Sequence, residues 1–195
     1  MKDVIAADGA MAIRGMRDEP ADYELIAAWR SARHVHEWWD PDEPPPDPAG
    51  AAAELRPYTQ GSDPTVACII EVDGVPAGFI QFYPWDGEAD YLSEVGVTVP
   101  EGAWGLDLFI GETAFLHRGI GSRAVRLLSD HLFANLGATA VALATEATNA
   151  HAQAAYERSG MRVVEEFLDT DRRDGRRVRS LLMIRERPGG TAAGR

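Results

Sequence analysis

The chain has one cysteine among 195 residues, so no internal disulfide can form. Cys68 lies in an apolar run and reads as a core residue, not a nucleophile. Lysine occurs once, and between Pro57 and His117 there is neither lysine nor arginine. With a net charge of −12, nucleic acid and anionic membrane are excluded as expected partners. No apolar run approaches the roughly 18 residues of a membrane span, and the first residues lack the apolar core of a secretion signal. The cytoplasm is therefore the expected compartment. No third ligand accompanies His34 and His36 at useful spacing, so no metal is expected. There is no internal repeat.

What the lysine-free interval does hold is acid: Asp63, Glu71, Asp73, Asp86, Glu88, Asp90, Glu94, Glu101, Asp107 and Glu112. It reads either as a solvated face or as a field that draws in a cation.

The stretch that organises the chain is residues 115–123, Phe-Leu-His-Arg-Gly-Ile-Gly-Ser-Arg. An apolar strand-like run, 105–110, leads into it. Ala124, Val125, Leu127, Leu128, Leu132 and Phe133 follow at the three- and four-residue spacing of an amphipathic helix. Gly119 and Gly121 thus sit where a loop becomes a helix, where unpartnered N–H groups can hold an anion and glycine admits a phosphate close to the backbone. The bland alternative is a tight turn. The dinucleotide pattern Gly-x-Gly-x-x-Gly is absent, because residue 124 is alanine, and so is the Gly-Lys-Ser/Thr of a nucleoside-triphosphate loop. The ligand to be cradled is some other pyrophosphate.

Patterning predicts a first strand over 11–17, a helix from the Pro20 region through Trp29, and a proline-rich loop over 41–48. A short helix is expected over 49–58, ending at Pro57. A hairpin of strands 65–72 and 75–83 turns at Asp73-Gly74, with Gly78 a bulge or close approach. Residues 84–103 read as a long loop, with a strand near 92–99. Then follow the strand 105–110, a helix over 119–136 capped by Gly137, and a strand over 139–145. Asn149 caps a helix over 151–159 that ends at Gly160. Strands 161–168 and 177–184 are joined by a hairpin around Asp174-Gly175. The expected organisation is a flexible N-terminus (1–10), one domain (11–186) and a disordered tail (187–195). The fold class is α/β (α+β), a mixed, mostly antiparallel sheet with helices on both faces.

Two signatures in order resemble the GCN5-related N-acetyltransferase (GNAT) superfamily over roughly residues 11–186. The family's acetyl-CoA loop, Gln/Arg-x-x-Gly-x-Gly/Ala, corresponds to Leu116-His117-Arg118-Gly119-Ile120-Gly121, with leucine at the first position. Its Asn, a Tyr seven residues on, then Gly-Phe corresponds to Asn149, Tyr156 and Gly160-Met161. A narrower resemblance, carried by His36-Glu37-Trp38-Trp39 and Gly105-Leu106-Asp107, is to type I aminoglycoside 6'-N-acetyltransferases. Siderophore-type N-acyltransferases, which act on N-hydroxylysine, share both features. A non-catalytic CoA-binding sensor is the non-enzyme alternative.

The resemblance implies acetyl-CoA as cosubstrate, with Asp107 beside the reacting amine and Tyr156 as proton donor to the leaving thiolate. It places the thioester against backbone N–H groups near Phe109 and Ile110. The pyrophosphate goes to the loop of His117, Arg118, Gly119, Ile120, Gly121 and Ser122, and Asn149 contacts the pantetheine or nearby backbone. A polycationic substrate calls for carboxylates and flat rings, for which Asp86, Asp90, Trp104 and Glu146 are candidates. Trp39 is either a ring platform or a core residue. The expected partner is this small-molecule amine, and the expected state is a monomer or homodimer.

Overall fold

The computed structural model describes residues 4–41, 43–170 and 176–189. Among them are eight strands and six helices of an α/β fold with a mixed sheet, antiparallel except where β5 meets β6. The chain divides into two compact units, Met1–Tyr83 with Asp107–Leu127, and Pro84–Leu106 with Leu128–Arg195.

In the first unit the strand order is β1-β2-β3-β4-β5. Strands β1 (Val4–Asp8), β2 (Met11–Gly15), β3 (Val66–Val72) and β4 (Val75–Pro84) form antiparallel ladders, and β5 (Trp104–Ile110) enters from Asp107 onward. Both central residues of the Asp73-Gly74 turn have positive φ (51° and 75°), the backbone that matches the twist of a two-residue hairpin. Ala67, Cys68, Ile69 and Ile70 are buried in succession, so β3 is covered on both faces. On one face, α1 (Pro20–Ser31), α2 (Arg33–Trp39) and α3 (Pro48–Gln60) bring Ile26, Trp29, Val35 and Leu55 onto Ala67, Ile69, Phe79 and Phe109. Pro20 opens α1, where its missing N–H costs nothing. Arg14, buried on β2, donates to both oxygens of buried Asp22 on α1 (2.7 and 2.8 Å) and to Glu71 on β3 (2.7 Å), tying helix to sheet.

In the second unit the order is β5-β6-β8-β7. The start of β5 pairs in parallel with β6 (Ala140–Glu146) only at Trp104↔Val141 and Gly105↔Ala142. β6 runs antiparallel to β8 (Arg177–Glu186), and β8 to β7 (Arg162–Thr170). A 3-10 turn, Trp85–Glu88, leads into α4 (Ala89–Val95). Helix α5 (Ile120–Asn135), whose residues through Leu127 belong to the first unit and those from Leu128 to the second, buries Ile120, Ala124, Val125, Leu128, Leu132 and Phe133, and Gly137 follows it at φ 70°. Asn149 caps α6 (Ala150–Arg158) by accepting from the Ala152 N–H at 3.0 Å.

Several expectations are corrected. The segment expected to be a flexible N-terminus carries β1, which extends the sheet beyond β2. The expected loop with a strand near 92–99 contains α4 instead, closed by Gly96 at φ 73°. Helix α3 does not stop at Pro57; it runs on to Gln60, its last turn closed by Gly61 at φ 70°, whose N–H donates to the Pro57 carbonyl. Arg187, expected in a disordered tail, donates its N–H to the Thr139 carbonyl (3.0 Å). The hairpin expected at Asp174-Gly175, and tail residues 190–195, lie outside the described residues.

Candidate active site

The anion-binding loop is built in the first unit. After β5, a 3-10 turn over Thr113–Phe115 leads to His117 and Gly119, both at positive φ (58° and 74°). Arg123 N–H returns to the Gly119 carbonyl (3.1 Å), which makes Gly119 the residue that opens α5. The N–H groups of Ile120, Gly121 and Ser122 then precede the first intrahelical bond and lie at the positive end of the helix dipole. A Cβ on Gly119 or Gly121 would find no heavy atom nearer than 3.8 Å, so the space over both glycines is open. The Arg118 guanidinium lies over the Phe115 ring at 5.6 Å, and the Arg123 side chain reaches the Asp8 carboxylate at 3.8 Å. Such an arrangement can hold an anion.

The strand leading into the loop exposes backbone in a fixed alternation. Gly111 N–H donates to the Ala77 carbonyl (3.0 Å), and Gln81 on β4 donates to the Asp107 carboxylate (3.0 Å), so the two strands are antiparallel. In that register the N–H and C=O of Asp107 and Phe109 face β4, while those of Leu108 and Ile110 face the opposite edge. Of the two expected thioester contacts, Ile110 thus presents its N–H away from β4. Phe109 is turned into the ladder, with Leu108 as the outward group. Phe109's ring stacks in the core on Phe79 (5.4 Å) and meets Trp39 edge-on (4.9 Å). Trp39 therefore packs as part of this aromatic cluster, half-buried, whereas Trp38 beside it is 45% exposed. Asp107 is half-buried, and Gln81 holds one of its carboxylate oxygens.

The remaining candidates belong to the second unit. Bonds at both ends of the β6–β8 ladder, Arg187 N–H to Thr139 and Ala147 N–H to Arg179, make odd-numbered β6 residues face β8. The even-numbered ones face away. The Ala142 carbonyl accepts the Trp85 indole N–H (3.0 Å), and the Glu146 carbonyl accepts from Asn149 N–H and Gln153. Ala144 is the outward residue between them. Glu146 is half-buried and accepts from the Thr148 hydroxyl (3.1 Å). Asn149 spends its side-chain oxygen on its own helix. Tyr156 is half-buried on α6, and its carbonyl accepts the Ser159 hydroxyl (2.6 Å). Trp104 is half-buried, Asp86 and Asp90 are exposed, and Trp85 stacks on Tyr91 (6.3 Å, 17°).

Seven residues of the acidic interval separate into two kinds. Asp63 accepts from Thr65 N–H, Glu71 pairs with Arg14, and Glu112 accepts the Trp29 indole N–H (2.8 Å), so these are structural. Asp86, Glu88, Asp90 and Glu94 crowd the turn and α4 of the second unit and enter no ion pair among the described residues. Gln81, His34 and Trp29 are the polar neighbours of β5 that sequence reasoning missed. Gln81 had a signal, its place in the strand hairpinned onto a strand expected near the site. The two helix residues had none.

Residues 18–168 match the family described as Acetyltransferase (GNAT) domain. The chain belongs to that family. An aminoglycoside N(6')-acetyltransferase type 1 from Klebsiella pneumoniae is 26% identical over 139 residues, 71% of this chain and 68% of its own length. The crystal structure of the aminoglycoside acetyltransferase AAC(6')-Ib with coenzyme A and kanamycin aligns with a TM-score of 0.74 at 24% identity, covering 91% of this chain and 95% of that one. The same enzyme with paromomycin and acetyl-CoA gives 0.76 at 23%, covering 91% and 94%. At these identities the two structures establish the fold.

Proposed function

We propose that this protein transfers the acetyl group of acetyl-CoA to an amine of an aminoglycoside, at the 6' position. The observation that carries the reading is the first unit's arrangement. One short segment runs from a half-buried carboxylate, Asp107, through outward backbone groups at Leu108 and Ile110, to the open N–H cradle of 120–122. The cradle suits a pyrophosphate flanked by Arg118. The strand edge suits the amide-bearing arm of a CoA.

An alkyl ammonium must lose a proton before it can attack. Asp107, oriented by Gln81, accepts that proton, directly or through one water. The freed nitrogen bonds to the acetyl carbonyl carbon and the carbon–sulfur bond breaks. The outward N–H of Ile110 or Leu108 polarises the carbonyl. By the family resemblance Tyr156 supplies the proton that neutralises the departing thiolate, and the surplus proton left on the new amide nitrogen restores the phenol. The four α4-region carboxylates, which enter no ion pair among the described residues, favour a polycation. Relatives that act on aminoglycosides favour it too. Acetylation removes one of the drug's charges, so resistance in a cytoplasm supplying acetyl-CoA is the expected consequence.

The test is thiol release from acetyl-CoA with kanamycin or tobramycin, with mass spectrometry locating the new acetyl group. Asp107→Asn should lower kcat by about 10²–10⁴-fold, the span of general-base contributions, with little change in the acetyl-CoA KM. Turnover with N-hydroxylysine but not with aminoglycosides would replace the substrate assigned here. CoA binding without any turnover would replace the enzyme with a sensor.

A further inference from the structure

The end of β5 is held by two donors that reach it from far along the chain. His34, in the first turn of α2, places its Nε2 3.0 Å from the Ile110 carbonyl oxygen. Trp29, near the end of α1, donates its indole N–H to Glu112 (2.8 Å), and its ring lies so close to Gly111 that a Cβ there would fall 2.1 Å from Trp29 Cγ. Three consecutive residues, 110 to 112, are thereby fixed by one helical pair just before the loop begins. Gly111 and Glu112 also both send their N–H groups to the Ala77 carbonyl (3.0 and 3.1 Å).

Ile110 is the outward residue at this point of the strand, so its carbonyl is not engaged by β4. A carbonyl can only accept, so His34 Nε2 carries the hydrogen. The bond fixes the plane of the 110–111 peptide, and through residue 110 it limits how the Ile110 N–H can turn. We infer that His34 is a positioning residue. By donating to the Ile110 carbonyl it aims the outward edge of β5 and the following loop at the acyl-CoA, without touching the aminoglycoside. The inference rests on the acetyl-CoA reading above. A metal role for His34 and His36 has no support among the described residues, where no group of three ligating side chains occurs.

The test uses the full chain with His34→Ala and His34→Gln, since a glutamine amide nitrogen can reach roughly where Nε2 stands. Coenzyme A binding is measured by calorimetry, and KM is measured separately for acetyl-CoA and kanamycin. In His34→Ala, CoA affinity should fall about five- to tenfold, in line with one lost hydrogen bond. The acetyl-CoA KM should rise in step and the kanamycin KM should stay put. In His34→Gln both should return to within about threefold of wild type. Equal affinity in wild type and a folded His34→Ala overturns the inference, as does a folded His34→Gln no better than alanine. If His34→Ala fails to fold, His34→Gln decides alone: wild-type CoA affinity supports the role, and lost affinity overturns it. A wild-type protein that binds no CoA instead refutes the acetyl-CoA reading, so the two failures are distinguishable.

Discussion

Replacing Gly121 with valine should leave the fold intact while disabling the cofactor cradle. Gly121 lies in the first turn of α5, its φ is not positive, and an added Cβ meets only the Leu108 Cδ1 at 3.8 Å, an ordinary contact. Valine is a somewhat better helix former than glycine, so stability should move by less than about 1 kcal/mol, or less than about 4 °C in Tm for a chain of this length. On the reading proposed above, the side chain enters the space that a pyrophosphate would use to reach the Gly121 N–H. A misfit of about 1–3 kcal/mol, the usual cost of overfilling a packed contact, converts to a loss of about five- to 150-fold in CoA affinity. Gly121→Ala should be benign in both respects, as the family motif accepts either residue there. Gly119→Ala behaves differently. Its φ of 74° makes any side chain cost about 1–2 kcal/mol of stability, even though the nearest atom, Ser122 Oγ, is 3.8 Å away. Thermal unfolding and calorimetry with CoA on the three variants separate these effects. A Gly121→Val protein that binds CoA as tightly as wild type would refute the cradle.

Arg14→Met should destabilise the protein by about 3–5 kcal/mol in urea denaturation, because it strips buried Asp22 of its bidentate partner; a loss under about 1 kcal/mol would show the pair to be dispensable. Burial by itself would raise the Asp22 pKa, but the hydrogen bonds from Arg14 and the Arg17 N–H outweigh it and hold the carboxyl below its usual value. A group lowered on folding stabilises the protein above its unfolded pKa and loses that contribution as pH falls through the folded one. Tm should therefore drop on acidification below about pH 4, and less steeply in Asp22→Asn. Trp85→Phe keeps the buried ring but removes the indole N–H from the Ala142 carbonyl, so about 1–3 kcal/mol of stability should be lost; an unchanged unfolding midpoint would mean that the carbonyl is otherwise satisfied.

Local chemistry wrote the central part of this fold into the sequence. The Asp73-Gly74 turn, the α5 stripe, and the Asn149 and Gly137 caps need only near neighbours, and each stands within a residue or two of its expected place. The missed elements lack such marks. Helix α4 buries no residue, so it has no apolar stripe to read, and its acids resemble those of a loop. β1 is a short outer strand whose identity comes from pairing with β2. Pro57 signals a helix stop because it cannot donate to the carbonyl four residues back, yet the helix continues for three residues before Gly61 closes it. In the candidate site, the glycines and Asp107 were legible as residue types in a pattern. The supports behind them were not: His34 reaches Ile110 across 76 positions and Trp29 reaches Glu112 across 83, and no local spacing encodes such pairings.

The unequal burial of the tryptophans makes the protein its own optical probe. Trp38 is 45% exposed, whereas Trp29 and Trp85 are 3% and 5% exposed. A dissolved quencher such as iodide should extinguish Trp38 and spare the other two. The light that survives includes that from Trp29, whose indole is bonded to Glu112 and stands edge-on to Phe109 at 6.3 Å. Any occupant of the neighbouring loop that shifts the end of the strand should alter that emission, so binding can be followed in unlabelled protein with no acetyl transfer taking place.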